Sequence, residues 1–389
     1  MKRSIFIILL LCSLSSVIAE NLVNSINDFG FNLLKKLPED QKNIAISPYS
    51  IFTAISMTSE GANNRTLSEM RNTLMLTDSS KVAIEIKQLQ KKMLDFDDQY
   101  LNLHIANAIW LHNNFKIQSD FQKTIQREYM AELRKSDMNN TDQTLKDING
   151  WVKLHTNNKI PSILEELDPS TRLILLNAIY FKADWNSPFT PDLTRKENFW
   201  QTEHYKIEVD MMHQISHLPY YKDARLQALK LNYKKCNFSL LVLLPNPHTD
   251  MYSLLQELDD LYFQKINSSF NKKAKIDLAL PHFKLDYQKK LNDPLKKMGM
   301  ELAFSDYADF SRINAKKDLY IDQIQHRAFL EVNEIGTEAA ATTAVAVALK
   351  SAGPPPVPIK FYVDHPFIFI LQYNPDNLIL FSGIINDPE

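Results

Sequence analysis

Residues 334–360 form the segment that most restricts how this chain can fold, because their composition differs from that of the rest of the sequence. From residue 337 to residue 348 nearly every side chain is small. Alanine favours a helix, whereas the β-branched residues of the same stretch favour a strand. These β-branched residues include Thr342, Thr343, Val345 and Val347. The local preference is therefore divided, which is typical of a segment that can adopt two conformations.

One face of this segment would suit a buried strand. Successive side chains of a strand point to opposite faces, and one face would carry only small or β-branched residues. That face holds Thr337, Ala339, Ala341, Thr343, Val345 and Val347. Glu338, the one charged residue, falls on the opposite face, where it can reach solvent. The pattern predicts that the segment can insert between existing strands, although composition alone leaves an alanine-rich linker or helix open.

A proline-rich stretch follows the small residues. Pro354, Pro355, Pro356 and Pro358 enforce an extended path and cannot donate the hydrogen bonds of a sheet. Insertion should therefore stop before them. Leu349, Lys350 and Ser351 lie between the two zones.

The remainder of the chain predicts a single α+β domain with large sheets. No internal repeat and no Gly/Ser linker divides it, and the chain has only seven glycines. Helical spacing covers residues 21–37, 50–61 and 66–74, whereas strand-like runs appear from residue 101 onward. The apolar runs are 173–181, 238–245, 274–283 and 367–373, and a turn at 374–377 closes a C-terminal hairpin.

The first nineteen residues predict a secretory signal peptide. Lys2 and Arg3 precede a short apolar run that ends in Val17-Ile18-Ala19. Removal of residues 1–19 leaves a domain of residues 20–389 with Cys236 as its single cysteine, so an intrachain disulfide is not expected. The removal also takes two of the 44 basic side chains and leaves 42 against 46 acidic ones, a balance that argues against nucleic-acid and membrane partners. No sequence motif predicts a metal site.

Seven sequence blocks resemble the serpin family, occur in that family's order and cover almost the whole mature chain. One block is the segment Val332-Asn-Glu-Ile-Gly-Thr-Glu-Ala-Ala-Ala-Thr-Thr, which resembles the hinge of the serpin reactive-centre loop. The others are Ile46-Ser-Pro-Tyr-Ser-Ile, Thr156-Asn-Asn-Lys-Ile, Asn177-Ala-Ile-Tyr-Phe-Lys-Ala-Asp-Trp, Leu280-Pro-His-Phe-Lys, Ala308-Asp-Phe-Ser-Arg-Ile and Phe361-Tyr-Val-Asp-His-Pro-Phe. The resemblance implies three β-sheets, eight or nine helices and an exposed reactive-centre loop at about 334–360.

The resemblance also implies a function, which is the inhibition of serine proteases by a suicide-substrate mechanism. A protease cuts the loop, and the cut loop enters the main sheet before water releases the acyl-enzyme. A non-inhibitory carrier or storage serpin is the alternative, and the small-residue hinge argues against it. The implied hinge comprises Glu334, Gly336, Thr337, Glu338, Ala339, Ala340, Ala341 and Thr342. Ile335 departs from the acidic residue common in the family at that position.

Family spacing implies that the bait bond joins Lys350 to Ser351, fourteen residues after the hinge glycine, with Leu349 and Ser351 as neighbouring alternatives for the residue before the cut. A lysine there suits trypsin-like proteases, whose specificity pocket ends in a carboxylate. The expected partner is therefore a trypsin-like serine protease bound covalently to a monomeric inhibitor, and the chain itself is not expected to be an enzyme.

Further residues carry implied structural roles. In the family, a hydrogen-bonded cluster lies beneath the point where the main sheet opens. The residues at these positions of this chain are Ser47, Ser50, Asn177 and His326. A catalytic Ser–His pair is the alternative interpretation of these residues, but no G-x-S-x-G motif supports it. Trp185 is expected near the upper end of that sheet, close to Glu334.

Surface features of the sequence suggest two kinds of modification or regulation. Glycosylation triplets begin at Asn64, Asn139, Asn237 and Asn267. A glycan is least expected at Asn237, because a predicted strand follows directly. Four lysines are expected on one face of a helix, a pattern that is more typical of a solvated surface than of a glycosaminoglycan site. They are Lys81, Lys87, Lys91 and Lys92. No cofactor is expected beyond that option of glycosaminoglycan activation.

Overall fold

The computed structural model describes residues 22–37, 43–76, 81–95, 100–337 and 357–389. Within these ranges the chain forms nine α-helices and fifteen strands. The helices are α1 (22–34), α2 (Pro48–Ser59), α3 (Asn64–Thr73), α4 (Val82–Leu94), α5 (Ser119–Glu128), α6 (Thr141–His155), α7 (Met251–Glu257), α8 (Asp260–Ser269) and α9 (Asn292–Lys297).

The strands form three sheets. They are β1 (Asn43–Ile46), β2 (Leu101–His112), β3 (Glu132–Ser136), β4 (Leu173–Asp184), β5 (Arg195–Trp200), β6 (Lys206–Lys222), β7 (Leu226–Asn232), β8 (Phe238–Pro245), β9 (Lys273–Pro281), β10 (Phe283–Lys290), β11 (Gln323–Val332), β12 (Gly336–Thr337), β13 (Ile359–Tyr362), β14 (Phe367–Tyr373) and β15 (Leu378–Ile385). The expected α+β class with three sheets and eight or nine helices is confirmed.

The main sheet has the strand order β10-β11-β12-β4-β2-β3. A second sheet runs β1-β15-β14-β8-β7 and ends at residues 220–222 of β6. The third contains β5, β9, β13 and residues 206–219 of the same long strand β6. Because β6 belongs to both, the second and third sheets are continuous through one strand.

Helix α2 lies inside the molecule, and all twelve of its residues are buried. Pro48 occupies its first turn, where no helical N–H partner is required. The side chain of Ser47 caps the helix by accepting a hydrogen bond from the Ser50 N–H. Both features explain why the helix begins two residues before the predicted start.

Two apolar cores lie on opposite faces of the main sheet. The larger core includes α1, α2 and the fully buried strands β8, β14 and β15. The smaller one lies between the outer face of the main sheet and α6, where the Trp110 and Trp151 rings pack 6.2 Å apart. Among the described residues, no helix has both the length and the apolar character needed to cross a membrane.

Several predicted elements are confirmed and one is wrong. The predicted strands 238–245 and 367–373 match β8 and β14, and the C-terminal hairpin turns at 374–377, where Asn377 has a φ of 50°. The predicted strand 274–283 is instead two strands, because His282 separates β9 from β10 and donates its backbone N–H to Asp210 O over 2.8 Å. The residues on either side of His282 are buried. The apolar sequence pattern therefore continues without a break where the chain passes from β9 in the third sheet to β10 in the main sheet.

Candidate functional site

The hinge residues Gly336 and Thr337 already lie within the main sheet. They form β12, in which Gly336 pairs with Asp184 and Thr337 pairs with Ala183 of β4. On its other side Thr337 pairs with Val332 of β11. At this upper end of the sheet, the hinge therefore separates β4 from β11.

Only glycine fits at position 336. A Cβ atom there would lie 2.1 Å from the carbonyl oxygen of Ala183 and 2.6 Å from Asp184 Cα. The turn before it is held by Asn333, whose side-chain oxygen accepts the N–H groups of Ile335 and Gly336, each over 3.2 Å. The hinge thus enters the sheet through a tight turn and a close backbone approach.

Thr337 is fully buried, in agreement with the inward face predicted from alternation. Its hydroxyl shares a hydrogen bond of 2.8 Å with the hydroxyl of Tyr233. Burial raises the pKa of Tyr233, so this phenol stays protonated. The Tyr233 ring stacks on Trp185 with a centroid distance of 4.5 Å.

Trp185 lies at the upper end of the main sheet, near the hinge. Its indole N–H donates to the Asn333 carbonyl over 2.8 Å, and its backbone N–H donates to the Ile335 carbonyl over 2.7 Å. Glu334 is held separately, because its carboxylate accepts a hydrogen bond of 2.7 Å from the Thr194 hydroxyl. The turn between β11 and β12 is therefore bound on both sides.

Below the hinge, β4 and β11 pair directly as parallel strands. Residues 323–329 are in register with residues 174–180, and we call this pairing the seam. Every described neighbour of the seam is antiparallel, since β10 pairs with β11 and β2 pairs with β4 in that sense. A strand that continued from Thr337 would have to separate the seam.

A buried hydrogen-bonded cluster ties the seam to α2. The His326 Nε2 atom accepts the backbone N–H of Ser47 over 3.3 Å, so its Nδ1 carries the proton and donates to the Asn177 side-chain oxygen over 2.5 Å. The Asn177 amide nitrogen donates to Ser50 Oγ and, over 2.6 Å, to Asn107 Oδ1. The four residues named from the sequence therefore lie together, with Asn107 as a fifth member.

The cluster does not have the geometry of a hydrolase. His326 contacts the backbone of Ser47 rather than a serine hydroxyl, and Ser50 Oγ is held by Asn177. Complete burial lowers the pKa of His326 to about 3 through desolvation, so the ring is neutral at physiological pH. A neutral histidine that holds two strands and a helix together is a structural element.

Several predicted residues lie outside the described ranges. They are the leader 1–19 and the loop residues Glu338, Ala339, Ala340, Ala341, Thr342, Lys350 and Ser351. Of the remaining hinge residues, Glu334 lies in the turn between β11 and β12, and Gly336 and Thr337 form β12.

The four glycosylation candidates differ in exposure. Asn64, Asn139 and Asn237 are exposed, whereas the side chain of Asn267 is half-buried and accepts a hydrogen bond of 2.9 Å from the buried Gln372. Asn237, the candidate named as least expected because a strand follows it, is exposed and lies directly before β8. Asn267 is the more constrained of the two.

The lysine face lies on and just before α4. Lys87 pairs with Glu128 over 3.2 Å, and Lys92 lies 3.8 Å from Asp376. Among the residues that the structure describes, no group of three or more histidine, cysteine or acidic side chains could hold a metal ion. Cys236 is free and half-buried.

Comparisons with known proteins agree with this architecture. Residues 24–388 match the family described as serpin (serine protease inhibitor). Iripin-8 of Ixodes ricinus is 37% identical over 375 residues, which cover 92% of each chain. The leukocyte elastase inhibitor of Sus scrofa is 32% identical and covers 92% of this chain and 97% of its own. Among solved structures, human thyroxine-binding globulin superposes with a TM-score of 0.87 at 28% identity, covering 95% of this chain and 99% of its own.

Proposed function

Because the chain belongs to the serpin family, we propose that it is an irreversible inhibitor of trypsin-like serine endopeptidases. The target protease cuts the reactive-centre loop, and the loop then enters the seam and traps the acyl-enzyme. The family includes relatives named as inhibitors, such as the leukocyte elastase inhibitor. It also includes thyroxine-binding globulin, so membership alone does not decide between inhibition and transport.

The observation that carries the proposal is the position of Thr337. This residue is buried between Ala183 and Val332, while the seam directly below it is closed. Insertion of the next residues therefore extends a strand that has already begun. The small inward side chains from residue 339 to residue 347 favour such an extension, which a carrier does not require.

The register of β12 defines how far insertion can proceed. Thr337 pairs with Ala183 in antiparallel fashion, so residues 338–347 would pair with residues 182–173 of β4 in sequence. Val347 would then reach Leu173, the first residue of β4. Ten residues of strand span about 33 Å. The protease, bound at Lys350, would be carried to the opposite end of the sheet.

The same register brings Thr343 to the buried cluster. Six residues beyond Thr337, it would lie between Asn177 of β4 and His326 of β11. Its side chain would then face inward like that of Thr337, because the two residues are an even number of positions apart. The hydroxyl can therefore replace the hydrogen bond that Asn177 and His326 lose when the seam opens.

The chemical step uses the protease's own machinery. Its catalytic serine attacks the Lys350 carbonyl, the bond to Ser351 breaks, and the amine of Ser351 leaves with a proton. Lys350 remains as an ester of the protease. If insertion adds roughly ten net ladder hydrogen bonds at about 1 kcal/mol each, it contributes on the order of 10 kcal/mol. That gain drives the displacement of the protease.

We further propose that the protein is a secreted, glycosylated monomer. Residues 1–19 have the composition of a signal peptide, and Asn64, Asn139 and Asn237 are exposed residues. Two of the four α4-region lysines are already engaged by carboxylates, which favours the solvated-face interpretation over glycosaminoglycan activation.

The decisive experiment incubates residues 20–389 with trypsin at equimolar concentration and examines the products by denaturing electrophoresis. We expect an SDS-stable complex of protease with inhibitor that has lost the peptide beginning at Ser351. A panel containing elastase-like and chymotrypsin-like enzymes tests specificity. If every protease cuts the loop without forming a stable complex, the inhibitory function is wrong and the carrier function gains support.

A further inference from the structure

A wide polar groove lies at the end of the main sheet opposite the hinge. Its volume is about 1070 Å³. It is lined by the amide side chains of Gln288 in β10 and of Gln323 and Gln325 in β11. The Gln325 amide nitrogen donates to the Gln323 side-chain oxygen over 3.0 Å. The groove therefore offers a ligand mainly hydrogen-bonding groups.

Five lysines from three parts of the chain also line the groove, and we call them the lysine wall. Lys289 and Lys290 end β10, Lys296 and Lys297 lie in the last turn of α9, and Lys36 follows α1. Four of them are exposed and Lys289 is half-buried. Within the described part of the chain, none of the five belongs to a salt bridge. Their positive charges are therefore available to a ligand.

The balance of charge in the groove favours an anion. Glu165, Glu166 and Asp293 also line it, so five lysines against three carboxylates leave an excess of two positive charges. This excess is local, since the whole chain has a formal net charge of −2. The α4 region differs, because Lys87 and Lys92 lie 3.2 and 3.8 Å from carboxylate oxygens. A bound anion would reduce the repulsion within the lysine wall.

The backbone of the lysine wall is attached to β11. The last two residues of β10 are paired with β11. Directly after them, the Leu291 N–H donates to the Ile324 carbonyl over 2.9 Å. The side chain of Asn292, the first residue of α9, donates to the Asp322 carbonyl over 2.8 Å and accepts the Ile324 N–H over 3.0 Å. Four of the five lysines are therefore carried by a backbone that is fixed before a ligand binds, which lowers the entropic cost of binding.

The lining also distinguishes among anions. Of the described residues that line the groove, none is aromatic. Nucleobases bind by stacking on aromatic side chains, so the groove has no platform for a nucleotide. Lysine ammonium groups are compact point charges that suit phosphate oxygens. A chain of phosphates without rings is also narrow enough to follow the lysine wall and avoid Glu165 and Glu166, which belong to a different segment of the chain.

We propose that this groove binds short chains of inorganic polyphosphate and that the lysine wall supplies the contacts. Such a chain can contact the pair Lys289–Lys290 and the pair Lys296–Lys297 at the same time, whereas a single phosphate reaches only one pair. The proposal does not depend on the proposed function, because the reactive-centre loop is not part of the groove.

Isothermal titration calorimetry of residues 20–389 with sodium tripolyphosphate, without protease, tests this site. Two variants each remove two positive charges: Lys289→Gln with Lys290→Gln, and Lys296→Gln with Lys297→Gln. We expect each variant to bind tripolyphosphate at least fivefold more weakly than the wild type. The wild-type affinity should fall as ionic strength rises, because salt screens the exposed charges. Orthophosphate should bind at least tenfold more weakly than tripolyphosphate.

Two further variants serve as controls. Lys81→Gln with Lys91→Gln removes two lysines of the α4 region that also lack a salt bridge among the described residues, and binding should not change. Glu165→Gln with Glu166→Gln removes negative charge from the groove itself, so binding should tighten about twofold. Equal melting temperatures would establish that all variants are folded.

Absence of binding to the wild type at low ionic strength, or equal affinity in the wild type and both groove variants, would overturn the proposal. An equal loss in the α4 control would also overturn it, because attraction would then not be specific to the groove. A heparin-derived tetrasaccharide that bound through the same lysines more tightly than tripolyphosphate would overturn the assignment of a phosphate chain.

Discussion

Thr337 is the residue at which the resting sheet and the reactive loop meet. It is fully buried and bonded to Tyr233, so its site has no room or partner for a charge. In Thr337→Arg, an unpaired guanidinium would have to enter the sheet at a cost of several kcal/mol. We expect this variant to be cut by trypsin as a substrate without trapping it.

The measurement for Thr337→Arg is the number of inhibitor molecules consumed per protease inactivated. Thr337→Ser keeps a small hydroxyl and serves as the matched control. Full trapping by the arginine variant would show that residue 337 does not have to remain buried for insertion.

Lys350 determines specificity in the proposed mechanism. Its ammonium would be taken from water into a pocket whose carboxylate compensates the loss, as in trypsin. Lys350→Ala removes that partner, so association with trypsin should slow at least tenfold, which corresponds to about 1.4 kcal/mol. Activity toward elastase-like enzymes, whose pockets accept small residues, should rise.

Mass spectrometry of the peptide released from a denatured wild-type complex identifies the bait bond directly. The expected N-terminus is Ser351, and Lys350→Arg is the control that should retain trypsin inhibition. An N-terminus at Lys350 or Ala352 would move the bond and remove the basis for trypsin-like specificity.

The sequence could identify residues whose role follows from a local pattern, but not those whose partners are distant. Alternation was enough to predict that Thr337 faces inward. Asn107 and Tyr233 stand in ordinary strand or turn contexts, and their roles depend on partners 70 and 104 positions away. The one available signal for Asn107 was its place as the single polar residue in the apolar run 105–111 of β2.

At the scale of elements, His326 makes the joining of β4, β11 and α2 sensitive to pH. Its folded pKa of about 3 lies below the ordinary value near 6.5. Below pH 6.5 the unfolded chain therefore binds a proton that the folded chain excludes. The stabilising contribution is present above pH 6.5 and is lost as the pH falls toward 3, amounting to about 3 kcal/mol by pH 4.5.

Urea unfolding midpoints at pH 7.5 and pH 4.5 measure this dependence. The comparison of wild type with His326→Gln isolates the one group, because all other titrations are shared. We expect the wild type to lose more stability on acidification than His326→Gln does. Equal losses in the two proteins would contradict the assignment.

Elements with a strong and uniform pattern were predictable, whereas changes of sheet were not. Strands β8 and β14 are buried on both faces and bounded by turn residues, so their limits were visible in the sequence. The 17 residues of β6 mix exposed and buried positions because the strand passes from one sheet to another. No local period describes a strand whose environment changes along its length.

At the scale of the whole molecule, cleavage of the loop should stabilise the protein. If insertion contributes on the order of 10 kcal/mol, the melting temperature of a chain of this size should rise by roughly 10 °C or more. Calorimetry of the intact and the loop-cleaved protein tests this. The Thr337→Arg variant provides the control, since its cut loop should remain outside the sheet and its melting temperature should rise less. An unchanged wild-type melting temperature would favour a carrier.

The parallel pairing of β4 with β11 is the place at which the main sheet would open. Parallel ladders have slanted hydrogen bonds and are slightly less stable per residue than antiparallel ones. A strand that entered there from Thr337 would run antiparallel to both neighbours, as β12 already does. Because β4 and β11 pair directly, the proposed insertion would add residues 338–347 between them as a new strand. In the proposed mechanism, the chain has to fold with β4 and β11 paired before the more regular sheet forms, so inhibition would depend on the order of these two events as well as on the final structure.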